Sequence, residues 1–209
     1  PQIKKLNCID PSYEALNVAK KNLLKNKNVF FYNKGVNENS LEPNSQDFGY
    51  CLGVLHHITE TQKGIDSCFN ILKKNSPFLI YLYYKFDNKP FWFRLIWKLS
   101  DLLRRLISRF PFPIKKIITY IIALFIYLPL SRFSKLLNIF NVDVKNFPLS
   151  DYKDKTFYFM RTDALDRFGT KLEKRFTKEE IKSMLLKSGF VDIQFSENTP
   201  YWVALAWKK

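Results

Sequence analysis

The sequence predicts an α/β protein built on a doubly wound, mostly parallel sheet, with a C-terminal antiparallel hairpin and a helical insertion. Three observations carry this. Short apolar strands alternate with helices of ordinary length from Leu6 to Tyr83, the pattern of parallel βαβ units. Two strand-like runs, Val191 to Phe195 and Tyr201 to Trp207, lie close enough to pair as a hairpin. Between these regions the composition shifts: residues 87–150 hold 11 basic and 3 acidic side chains, so +8 of the chain's net +15.

The elements follow in order. Leu6-Asn7-Cys8-Ile9 is a short apolar strand that ends on Asp10. Pro11 presets φ for a helical turn, and Ser12 can satisfy a free backbone donor. Ala15, Leu16, Ala19 and Leu23 recur at helical spacing. Asn28 to Tyr32 and Phe48 to Leu52 read as strands, Ile65, Phe69 and Leu72 as a helix, and Phe78 to Tyr83 as a fourth strand. Later, Thr177 and Glu180 have capping-box spacing, and Gly189 is placed as a left-handed C-cap.

The run Asp47 to Ile58 is the most informative. An apolar strand ends at Gly53, and the loop beyond it carries both histidines of the chain, His56 and His57. Ligands of open α/β sheets bind beyond the carboxyl ends of the strands, so a glycine and two imidazoles there mark a candidate site. An imidazole near neutral pH can accept a proton, which makes His56 or His57 a candidate base, with a slight preference for His56. Asp10, also at a strand end, can accept a ribose hydroxyl or simply start a helix.

Gly53-Val54-Leu55-His56-His57 resembles the fourth-strand motif of class I S-adenosylmethionine-dependent methyltransferases, especially the quinone-methyltransferase group. The resemblance covers about Leu6 to Tyr83 and the C-terminal hairpin, and implies a Rossmann-like methyltransferase fold. It implies S-adenosylmethionine as cofactor, with Asp10 on the ribose, Val36 and Asn37 near the adenine, and Leu52 and Gly53 at the methionine end. Tyr83 and Tyr84 would face the acceptor. Arg161, Asp166 and Arg167 lie in a stretch that resembles a substrate-closing segment of bacterial members, although Asp166 and Arg167 equally suit a surface ion pair.

Departures accompany the likeness. The family's glycine-rich turn should precede Asp10 by roughly 20 residues, whereas nine residues stand before it. The expectation is therefore a fragment of a longer protein. Lys73-Lys74-Asn75-Ser76-Pro77 replaces a Gly-Gly turn, though Asn and Pro keep turn chemistry. Asn37 to Gln46 is short and polar for an adenine-side segment.

The expected divisions are residues 1–86 as a partial cofactor-binding core, 87–150 as a basic helical insertion, and 151–209 as a substrate-side segment completing the sheet. In the insertion, Trp92, Leu95, Ile96, Leu99, Leu102, Leu103, Leu106 and Phe110 form a helical stripe. Arg94, Lys98, Arg105 and Arg109 lie off it. Phe110-Pro111-Phe112-Pro113 breaks the chain, and Ile117 to Leu130 is a 14-residue apolar run, short for a bilayer span. A cap packed on the sheet and a helix lying on an anionic membrane both suit this pattern.

Cys8, Cys51 and Cys68 fall on core-like positions without metal or redox spacing, and read as reduced thiols of a cytoplasmic protein. No metal site is expected, because adjacent histidines make a poor zinc cage. No nucleic-acid partner is expected either, since the aromatics follow a helical pattern. The expected location is the cytoplasm, with peripheral contact at the inner membrane face. The expected reaction is methyl transfer to a small-molecule or lipid-like acceptor. A methyltransferase-like pseudoenzyme that binds a membrane or partner, and a nucleotide-dependent oxidoreductase, are the alternatives.

Overall fold

The computed structural model describes residues 3–209, which divide into two compact bodies. The first comprises residues 3–85 with Lys174–Lys209, and the second is Phe86–Glu173.

In the first body, β1 (Leu6–Ile9), α1 (Tyr13–Asn22) and β2 (Val29–Tyr32) form a parallel βαβ unit, with Leu6 opposite Val29 and Ile9 opposite Tyr32. Ser12 caps α1 by accepting a hydrogen bond from the Ala15 amide at 3.2 Å. Next come β3 (Gly49–Leu52), α2 (Thr61–Ile71) and β4 (Pro77–Tyr81), with β3 and β4 parallel. The chain returns through α7 (Lys178–Ser188), β5 (Phe190–Phe195) and β6 (Val203–Lys208). Strand β6 inserts between β4 and β5, antiparallel to both, giving the order β3-β4-β6-β5.

The strands expected as one sheet thus form two hydrogen-bonded ladders, β1-β2 and β3-β4-β6-β5. A side-chain bond from Asn7 to Gln46, at 2.9 Å, links β1 to the segment leading into β3. The expected fourth strand, Phe78 to Tyr83, ends at Tyr81, and beyond it Tyr84 bridges to Phe176 in a short parallel contact.

The first core lies on the four-stranded ladder. Leu55, Ile65, Leu72, Phe78, Ile80 and Leu82 meet Ile181, Leu185, Phe190, Ala204 and Ala206, all buried. Phe78 stacks on Phe190 at 5.3 Å, and Phe69 meets Phe190 edge-on at 5.0 Å. The capping box on α7 is complete: the Thr177 hydroxyl accepts from the Glu180 amide at 3.1 Å, and the Glu180 carboxylate accepts from the Thr177 amide at 2.7 Å. Gly189 ends α7 with φ of 100°, and a Cβ there would lie 2.9 Å from the Phe69 ring. Gly189→Ala combines left-handed strain with that clash, so urea denaturation should show a loss of about 2 kcal/mol.

The second body is helical: α3 (Phe91–Ile107), α4 (Phe112–Ile122), a wide π-helical turn at Ala123–Tyr127, α5 (Leu128–Ile139) and α6 (Phe157–Gly169). Its core joins Ile107, Ala123, Tyr127, Met160, Ala164 and Phe168. It extends to Glu173 rather than ending at 150, because α6 supplies half of these core side chains. The 14-residue apolar run is part of a longer helical stretch, Phe112–Ile139, which is long and apolar enough to cross a membrane by length and composition.

Helix α3 carries its leucine stripe on the outside. Phe91, Trp92, Leu95, Ile96, Leu99, Leu102, Leu103 and Leu106 are exposed, while Arg104 is buried. The side turned to the body carries Phe93, Trp97, Asp101, Arg104 and Ile107. Phe93 and Trp97 meet Phe86, and Arg104 binds Asp101 at 2.7 Å and donates to the Thr170 carbonyl at 3.0 Å. An internal ion pair thus lies on the inward face of α3 beside Phe93, Trp97 and Ile107.

Candidate functional site

The site is built at the carboxyl end of β3. Gly53 leaves the strand with φ of +72°, a conformation that favours glycine, and its amide donates to the Tyr81 carbonyl at 3.0 Å. A Cβ at Gly53 would have its nearest neighbour at 4.0 Å, so the space beside the backbone is open. The chain then turns through a short 3-10 segment, Leu55–His57, which buries Leu55 and His56. Three bonds staple this turn: the Thr61 hydroxyl donates to the Leu55 carbonyl at 3.0 Å, the Lys174 amide donates to the His56 carbonyl at 3.0 Å, and the Lys174 ammonium donates to the Thr59 carbonyl.

The two histidines separate sharply. His56 is 0% exposed and stacks on Tyr83, with ring centres 3.7 Å apart and planes at 26°. Neither ring nitrogen has a hydrogen-bond partner among the described residues. Burial, and then the neighbouring His57 and Arg175, push its pKa down to about 3. His56 is thus held neutral and weakly basic, which disfavours it as a proton acceptor. His57 is half-buried, 4.0 Å from the His56 ring centre and edge-on to Tyr83 at 5.7 Å.

Tyr83 and Tyr84 diverge, as neighbours on an extended chain must. Tyr83 faces the histidines, with the Arg175 guanidinium 5.2 Å from its ring centre. Tyr84 packs on Tyr201 and Trp202, with its half-buried ring against the first core. Arg175 escaped the sequence reading, and it donates to the Tyr84 carbonyl at 3.3 Å. Its only signal was its place in an extended stretch just ahead of the α7 cap.

Asp10 lies at the carboxyl end of β1, half-buried. One carboxylate oxygen accepts from the Ser12 amide at 2.7 Å, and the second has no hydrogen bond among the described residues. Asp10 therefore braces the turn leading into the helix that Ser12 caps, and still offers an acceptor. Val36 begins a 3-10 turn, Val36–Glu38, and packs against the first core, whereas Asn37 is exposed. Leu52 is exposed at the end of β3. A free carboxylate oxygen and an open glycine edge at strand ends, with an exposed amide side chain on the turn after β2, suit a nucleoside with a charged tail.

Arg161, Asp166 and Arg167 belong to α6 of the second body. Arg161 lines a groove of about 550 Å³ with Lys116, Tyr120 and Leu165. Asp166 is exposed, while Arg167 turns inward and donates to the Ser100 hydroxyl at 2.8 Å, beside the buried Tyr127 and Asp163. Burial raises the Asp163 carboxyl above its ordinary range despite hydrogen bonds from Tyr152 and Tyr127. The thiols behave as core groups: all three are free, and burial pushes Cys51 up to about 11.

Residues 2–80 match the family model of a methyltransferase domain. No curated protein matches the chain. Among solved structures, an S-adenosylmethionine-dependent methyltransferase from Methanosarcina mazei is 15% identical, with TM-score 0.52, covering 98% of this chain and 82% of its own. A possible exported protein from Bordetella parapertussis is 13% identical, TM-score 0.52, over 98% of this chain and 53% of its own. A provisionally assigned methyltransferase from Bacillus halodurans is 12% identical, TM-score 0.51, over 91% and 55%. The chain spans about half the length of these last two proteins. With its alternating parallel units, inserted antiparallel strand and matched N-terminal segment, the chain has the α/β Rossmann-like methyltransferase fold, and its residues 2–80 are similar to a methyltransferase domain.

Proposed function

We propose that the chain uses S-adenosylmethionine to methylate a small-molecule or lipid-like acceptor, as a member of the quinone-methyltransferase-like group. The observation that carries this is the strand-end arrangement itself: Gly53 opens the backbone beside β3, and Asp10 keeps a free carboxylate oxygen at the end of β1. When bound, the cofactor supplies a methyl group already activated on a sulfonium, so alignment with the acceptor is the main demand on the protein.

The residues divide that work. Asp10 accepts from a ribose hydroxyl, Asn37 with the backbone of Val36 borders the base, and Leu52 and Gly53 border the amino-acid tail. Tyr83 and His57 face the acceptor, and His57 takes the proton that an acceptor hydroxyl would release. His56 positions Tyr83 by stacking rather than by proton transfer. Arg175 sits over the same tyrosine and helps to fix its ring.

Calorimetric titration of S-adenosylmethionine into the chain tests this reading. Asp10→Ala should weaken binding at least tenfold, the scale of one charge-assisted hydrogen bond. Equal affinity in the variant would remove Asp10 from the site. No heat from the folded wild-type chain would overturn the cofactor assignment.

A further inference from the structure

Among the described residues, nothing covers the outward stripe of α3. Leu95, Leu99, Leu102, Leu103 and Leu106, with Trp92 toward the amino end, are each between 46% and 67% exposed. The helical periodicity places all of them on one side, opposite Arg104. Eight large side chains, counting Phe91 and Ile96, at roughly half of about 200 Å² each, present on the order of 800 Å² of apolar surface. That exceeds the largest patch of a typical soluble monomer, about 300–600 Å².

Charge decides what covers it. Arg94, Lys98 and Arg105 run along one edge of the stripe, Arg109 follows just past the helix end, and the one acid of the helix, Asp101, is turned inward with its side chain 13% exposed. A second copy pairing through the same surface would set basic edge against basic edge with no acid to answer. An anionic lipid surface supplies both missing partners, acyl chains for the leucines and phosphates for the cations. A tryptophan beside the stripe suits the headgroup level. The same body adds the apolar stretch Phe112–Ile139, in which only 28% of the most apolar 18-residue window is buried.

We propose that α3 lies flat on an anionic bilayer, with its leucine stripe among the upper acyl chains and its arginine edge against lipid phosphates. This docking does not depend on methyl transfer and would hold for an inactive chain.

Flotation with phosphatidylcholine vesicles containing phosphatidylglycerol tests it, with pure phosphatidylcholine as the comparison. The chain should float with the anionic vesicles, and raised salt should weaken the association several-fold. Leu99→Glu with Leu103→Glu should lower partitioning about a hundredfold, because two buried leucines are lost. Both positions are exposed, so an unchanged thermal melt should accompany that loss. As an independent readout, brominated lipid should quench tryptophan emission, and Trp92→Phe should remove most of the quenching. Absence of flotation at low salt overturns the proposal, as does flotation unaffected by the double variant. A stable dimer dispersed by the double variant would also overturn it, by showing that a second copy covers the stripe.

Discussion

Arg104→Ala should destabilise the second body by about 3 kcal/mol in urea, the cost of leaving a largely buried carboxylate without its main partner. The arginine side chain is 6% exposed, binds Asp101 at 2.7 Å, and donates to the Thr170 carbonyl at 3.0 Å. Its removal leaves Asp101 to Arg105, whose side chain is 68% exposed and whose bond is 2.9 Å. Burial alone would raise the Asp101 carboxyl, but Arg104 and then Arg105 outweigh it and hold it below its ordinary value. Arg104→Lys keeps the charge but cannot bind both partners with a planar fork, so about half the loss should remain. A variant as stable as wild type would mean that packing, not the ion pair, fixes the orientation of α3.

Acid should cost this protein stability through His56. The folded state holds the imidazole near a pKa of about 3, while the unfolded chain titrates near the ordinary 6.5. Above pH 6.5 both states are neutral and His56 contributes nothing to the pH dependence. Between pH 6.5 and 3 the unfolded state takes up a proton that the folded state refuses, so stability falls with falling pH. The slope is about 1.4 kcal/mol per pH unit, giving roughly 2 kcal/mol between pH 6.5 and 5. His56→Phe keeps a ring to stack on Tyr83 and removes the titration, so its denaturation midpoint should change less over the same interval. Identical acid sensitivity in the two proteins would show that His56 is protonated without penalty in the fold.

Much of the fold was legible in short-range chemistry. The strands around Leu6 and Val29, the capping box at Thr177 and Glu180, and the Gly189 cap rest on local spacing, and the structure places them as read. Periodicity also revealed the α3 stripe, but a stripe says that one face is apolar, not what it meets. The inward face carries Arg104, which binds Asp101 and reaches the Thr170 carbonyl, a contact across 66 positions that no local window contains. The extent of the second body was hidden for the same reason, since α6 declares its allegiance only through Met160, Ala164 and Phe168.

The site was legible in part. Gly53 and the histidine pair follow directly from the end of an apolar strand, whereas the separation of Tyr83 from Tyr84, both expected on the same side, appears only in their packing. The unequal roles of His56 and His57 did not, because adjacent identical residues differ only by which side of the 3-10 turn each occupies. Arg175 was obscured in a run of mixed charge and gained its place through the pairing of Phe176 with the stretch after β4.

The wide turn at Ala123–Tyr127 acts as a rotary joint within one continuous helix. The Leu128 amide reaches back five residues to the Ala123 carbonyl, so one extra residue is accommodated and everything after it is rotated by about 100° relative to a regular helix. Tyr127 is thereby aimed inward, its hydroxyl 3.3 Å from Asp163, and Arg132 can donate to the Lys153 carbonyl at 2.7 Å. Deleting a single residue from the turn would restore ordinary winding and swing α5 off these partners. Length at this point, more than the identity of any one side chain, sets the azimuth of the helix that follows.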